Sequence, residues 1–242
     1  MKRLLLTFTI LAGTTALSQA GAIVVPVDSV LLSSWSFENI TVVPSPGTTA
    51  VGPSADAGTL TLGSASSAFH ATSSTYSTPA GDGSPKSFSS TTWAIGDYYQ
   101  FSTATTGADN INISFAQVGS GTGPRDFKLS YSTDGTNFTD FTTYTSVLSD
   151  WSSTVIKTTG VKTFDLSAIT AINDQASVTF RLTDTSTTSI NVGTVAAAGT
   201  GRVDDFTVTD GPVQIVPEPT TVLATLSGLG VLGLLRRRPV RS

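Results

Sequence analysis

The chain has 242 residues, no Cys and only 12% charged residues, so it has room for one large domain or two small ones, and a disulfide framework is excluded. Between Ile23 and Val216, seven basic residues face sixteen Asp or Glu, a net −9, while the remaining positive charge sits at Lys2, Arg3 and Arg236, Arg237, Arg238 and Arg241. A middle segment this acidic repels phosphate backbones, which argues against nucleic acid as a partner.

Met1-Lys2-Arg3 opens the chain with charge, and an apolar run from Leu4 to Leu17 follows. About 14 residues are too few to span a bilayer and suit the hydrophobic region of a secretion signal. Ser18-Gln19-Ala20 offers a small-x-small cleavage site, and the predicted signal peptide covers residues 1–22.

From Leu31 to Val208 strand follows strand. Trp35 and Phe37 alternate with Ser34 and Ser36, the period-2 pattern of a half-buried strand. Tyr98–Phe101, Ile111–Phe115, Phe127–Tyr131, Val178–Leu182 and Val203–Val208 repeat it, bounded by Gly, Asp, Asn and Ser clusters. Asp134-Gly135, between Tyr131 and Phe138, supplies the positive φ of a hairpin turn. Val42–Gly58, rich in Pro, Gly and Ala, reads as a long loop. No helical period is sustained before the tail. Many strands without helices imply a barrel or a two-sheet sandwich, because a lone sheet leaves an apolar face wet.

The predicted order is an all-β, jelly-roll-like two-sheet sandwich over 23–210, a Pro-rich stalk over 211–219, a single transmembrane helix over 220–235 and a basic cytoplasmic tail over 236–242. The prolines of Val216-Pro217-Glu218-Pro219 stop any strand and delay the helix. Sixteen helical residues span about 24 Å, short of the ~30 Å hydrocarbon core. Arg236, Arg237 and Arg238 orient that helix with its C-terminus in the cytoplasm.

The Pro-Glu-Pro motif, the short Gly-containing apolar helix and the terminal arginine cluster together resemble the PEP-CTERM sorting signal. The resemblance covers only Val216–Ser242. It implies processing by signal peptidase and by an exosortase, a transient stay in the inner membrane, and a final place at the cell surface or in the exopolysaccharide matrix. The Trp-containing first strand and the last strand Arg202–Thr209 resemble carbohydrate-binding and galactose-binding-like jelly rolls, in which first and last strands pair. The same resemblance implies a structural Ca²⁺ held by Glu38, Asn39, Asp204 and Asp205.

Signals for catalysis are few. The domain carries one His, His70, and neither a Gly-x-Ser-x-Gly elbow nor a His-Glu-x-x-His helix. Gly119–Gly123 lacks the following helix that a phosphate loop needs. An enzyme is not expected. Sugar binding calls for exposed rings, for which Trp93, Tyr98, Tyr99, Tyr144 and Trp151 are candidates, with Tyr98 and Tyr99 on opposite faces of one strand. The expected role is that of an exported structural or adhesive surface protein. The alternative is a carbohydrate-binding module attached to surface polysaccharide.

Overall fold

Ser-, Thr- and aromatic-rich segments with alternating burial form twelve strands in the computed structural model, which describes residues 29–40 and 46–211. In chain order these are β1 (Val30–Trp35), β2 (Pro46–Val51), β3 (Ala65–Ser77), β4 (Phe88–Ser90), β5 (Tyr98–Thr103) and β6 (Ile111–Gly119). Then come β7 (Asp126–Ser132), β8 (Thr139–Thr145), β9 (Val147–Leu148), β10 (Val161–Asp165), β11 (Val178–Asp184) and β12 (Gly201–Asp210). Apart from one 3₁₀ turn at Thr170–Ile172, no helix occurs among the described residues, and none of them forms a helix long and apolar enough to cross a membrane. The predicted signal peptide, the stalk beyond Gly211, the sorting residues Val216, Pro217, Glu218, Pro219, Arg236, Arg237 and Arg238, and the transmembrane helix lie outside the described residues.

The all-β expectation holds, as two faces. One is built on β12, with β6 and then β10 along one edge, and β1 and β4 sharing the other edge. The second runs β2-β3-β5-β11-β7-β8. The long strand β3 belongs to both: Ala65–Phe69 pair with β5, and Tyr76–Ser77 pair with β4. First and last strands pair antiparallel as expected, with Trp35 opposite Phe206.

Between the faces lies an aromatic core. Phe101 of β5 stacks on Phe206 of β12 at 3.8 Å and 5°, and Trp35, Phe115 and Phe180 pack around the same ring. Both rings are removed from water completely, and burial of this kind drives the two sheets together.

Two details depart from the sequence reading. The stretch read as a loop over Val42–Gly58 contains β2, because β3 offers it a partner edge despite its Pro and Gly content. Phe37 is not part of the first strand: the chain turns at φ 58 there and still buries the ring against Phe88 and Phe101.

Candidate functional site

Alternation along the second sheet decides which side chains face outward. Tyr99, Phe101, Phe127, Leu129, Phe180 and Leu182 point into the core. Tyr98, Gln100, Lys128, Ser130, Arg181 and Thr183 therefore stand on the opposite face. Register lines them into rows: Tyr98 lies beside Thr183 and Thr183 beside Lys128, while Gln100, Arg181, Ser130 and Asp140 follow one another across four strands.

An open groove of about 380 Å³ lies on this face, lined by Tyr98, Lys128, Ser130, Arg181 and Thr183 together with Gly96, Phe138 and Asp140. Four flat groups touch in sequence on this face, the last three of them lining the groove. Phe69 stacks on Tyr98 with ring centres 5.3 Å apart, the Arg181 guanidinium sits 4.0 Å from the Tyr98 ring centre, and Phe138 covers the same guanidinium at 3.7 Å. The Arg181 Nε donates to Gln100 Oε1 at 2.7 Å, which fixes the plane of the fork. Burial lowers the Arg181 pKa from its ordinary value, opposed by the neighbouring Tyr98 hydroxyl. Lys128 Nζ pairs with Asp140 Oδ2 at 2.9 Å across the β7–β8 edge.

Phe138 is positioned by the β7–β8 loop. Asp134 Oδ1 accepts the backbone N–H groups of Thr136 and Asn137 at 2.8 and 2.7 Å, and Asn137 Nδ2 donates to its other oxygen at 2.7 Å. Those hydrogen bonds, led by the Asn137 side chain, hold the Asp134 carboxyl far below the usual carboxylate range. Gly135 takes the positive φ, 72°, that the Asp-Gly pair predicts, but within a six-residue loop (133–138) instead of a two-residue turn. The loop thus delivers an aromatic ring to the groove already ordered.

Of the five aromatic candidates only Tyr98 lines this groove. Tyr99 is fully buried and donates to Gly201 O at 2.8 Å. Trp93 packs into the core against His70, Tyr99 and Phe127, and Tyr144 packs between Phe115, Phe127 and Phe164. Trp151 is half-buried away from the groove lining, its Nε1 without an acceptor among the described residues. Sequence reasoning missed Arg181, Phe138 and Phe69. The outward phase of Arg181 between Phe180 and Leu182 was the available signal.

His70 is part of an unforeseen constellation. Its Nε2 lies 3.0 Å from Ser90 Oγ and its Nδ1 lies 2.9 Å from Asp97 Oδ2. Asp97 also accepts the N–H groups of Ala71 and Ala94, and Ser90 Oγ is 2.9 Å from the Tyr99 hydroxyl. The order is that of a Ser–His–Asp relay. Yet all three residues are 0% exposed, so no substrate carbonyl reaches Ser90. The network instead satisfies polar groups where the long strand β3 passes from one sheet to the other.

The residues expected to hold Ca²⁺ divide. Asp204 is fully buried and engaged: its Oδ2 accepts Asp82 N–H at 2.8 Å and Ser84 Oγ at 3.2 Å. Asn39 is exposed in the turn after β1. Glu38 Oε1 accepts Lys86 N–H, and Lys86 Nζ donates to the backbone oxygens of Glu38 and Ile40 at 3.0 and 3.2 Å. Asp205 sits at a bulge of β12 with φ 49, where the edge passes from β4 to β1. Burial first, and then the charges of Asp82, Asp56 and Glu38, push its carboxyl up, and no hydrogen bond reaches that carboxylate among the described residues. These oxygen-only donors suit a hard cation in chemistry. In spacing, no three acidic or His side chains among the described residues form a ligand set.

No protein-family model and no curated protein matches the chain. Solved structures do. A CBM22-2 xylan-binding domain from Paenibacillus barcinonensis is 14% identical, with 74% of this chain and 98% of that one covered, at a TM-score of 0.42. A cleaved adhesin domain of Lys-gingipain from Porphyromonas gingivalis is 16% identical, covering 72% and 95%, at 0.39. The carbohydrate-binding module CBM36, in complex with calcium and xylotriose, is 15% identical, covering 73% and 99%, at 0.35. At this level of similarity none of the three bears on what this chain binds.

Proposed function

We propose that the domain is a non-catalytic carbohydrate-binding module that takes an oligosaccharide on the outer face of the β5-β11-β7-β8 surface. One observation carries the reading: the row Phe69, Tyr98, Arg181 and Phe138 lies on the side of the sheet away from the core, and its last three members line the groove. The core does not need these rings. A sugar ring has apolar faces and closely spaced hydroxyls, so it is matched by aromatic surface interleaved with donors and acceptors. Tyr98, Thr183, Lys128 and Asp140 provide those polar groups within two adjacent rows.

The test is a glycan array probed with the full-length chain and with Tyr98→Ala and Phe138→Ala. Retained glycan binding by the parent and at least a tenfold loss in both variants is expected, since a stacked ring contributes about 1–3 kcal/mol with its buried area. Silence across neutral and acidic glycans, or binding indifferent to both substitutions, refutes the reading.

The sequence tail supports a second element of the proposal, delivery to the cell exterior followed by removal of the segment after Pro219. Intact mass of the exported form checks it; a mass that includes Thr220–Ser242 counts against it.

A further inference from the structure

Granted that the groove binds a glycan, we infer that the ligand is an acidic polysaccharide whose carboxylate is held by the Arg181 guanidinium. Arg125 and Lys128 each have a carboxylate partner, at 2.8 and 2.9 Å, and Lys86 is held by two backbone oxygens. Arg181 has no carboxylate within 4.0 Å among the described residues, although it is half-buried; its Nε donates to Gln100 and its other polar neighbour is the uncharged Tyr98 hydroxyl.

A cation taken partly out of water without a counter-charge costs free energy, and an unbranched apolar side chain would fill the slot between Tyr98 and Phe138 without that cost. What the cation adds is a fork. Two rings clamp its plane and Gln100 holds Nε, so the Nη groups have a preset geometry for a bidentate planar anion. The remaining groove charges are consistent: Lys128 neutralises Asp140, leaving one net positive charge at Arg181 within a domain whose total is strongly negative. Long-range attraction does not recruit an anion to such a domain, so recognition is short-ranged and specific to a group that fits the fork. A uronate carboxylate does so better than a tetrahedral sulfate ester.

The experiment is calorimetric titration of the full-length chain with oligogalacturonate, its methyl ester, a sulfated oligosaccharide and a neutral xylo-oligosaccharide, repeated for Arg181→Met and Arg181→Lys. Met preserves the filling of the slot and Lys preserves the charge, and melting temperatures report on the fold. The acidic oligomer is expected to bind ten- to a hundredfold more tightly than its methyl ester, as charge-assisted hydrogen bonds imply. Both substitutions should erase most of that preference, so that in each variant the acid binds no more than about threefold more tightly than the ester. Equal affinity for acid and ester overturns the inference and leaves the glycan-binding reading standing; so does tighter binding of the sulfated oligomer. Binding of the acid unaltered in a folded Arg181→Met chain also overturns it. No binding of any oligosaccharide overturns both.

Discussion

Replacing Asp184 with Asn removes a carboxyl that the fold holds in the wrong charge state for neutral solution. Asp184 is 1% exposed, its Oδ2 has no hydrogen-bond partner among the described residues, and its Oδ1 receives the Ser186 N–H at a long 3.3 Å. Burial, reinforced by the charges of Asp97 and Asp126, raises its pKa from 3.8 to about 7. Because the folded value exceeds the unfolded one, the folded state keeps the proton longer. The associated stability is complete below pH 3.8 and disappears as pH rises through about 7. Three pH units at about 1.4 kcal/mol each set a ceiling of about 4 kcal/mol, and screening by nearby polar groups brings the expectation to about 2–3 kcal/mol. Asn keeps the shape and the Ser186 contact without a charge at any pH. Urea unfolding followed by Trp fluorescence at pH 4.5, 6, 7 and 8.5 reads the effect. The parent should lose stability relative to the variant across that range, with the variant about 2 kcal/mol more stable at pH 8.5. Parallel curves, or a variant less stable at pH 8.5, refute the reasoning.

Phe206→Ala deletes the ring stacked on Phe101 and should cost about 3–5 kcal/mol, a fall of roughly 10 °C in Tm by calorimetry. Ser90→Ala should leave hydrolysis of a nitrophenyl ester at background in parent and variant alike, while destabilising the fold by about 1–3 kcal/mol through the orphaned His70 and Tyr99 contacts. If Ca²⁺ binds at the β12 bulge, it should raise Tm for the parent and not for Asp205→Asn; a Tm unmoved by Ca²⁺ or by chelator discards calcium there.

How much of this was legible in the sequence varied with the element. Tyr98–Phe101, Phe127–Tyr131 and Val178–Leu182 announce their strands because large apolar residues alternate with polar ones, and one side is buried. β3 spans thirteen residues of mostly Ser, Ala and Thr, and its pattern is too weak to read; it is a strand because β2, β4 and β5 pair with it. The His70–Ser90–Asp97 network was equally hidden, since its members come from β3, β4 and the loop before β5.

Alone, the sequence determined the class, an acidic, cysteine-free chain of alternating strands, and it put Tyr98 and Tyr99 on opposite faces of one strand, since a strand's two-residue period is a local property. Tertiary structure decided that residues 69, 98, 181 and 138 meet in one row. That meeting depends on β11 inserting between β5 and β7, a pairing of segments some 50–80 residues apart in the chain. No local period encodes such a pairing, because it is selected by which arrangement buries Phe101, Phe180 and Phe206 together.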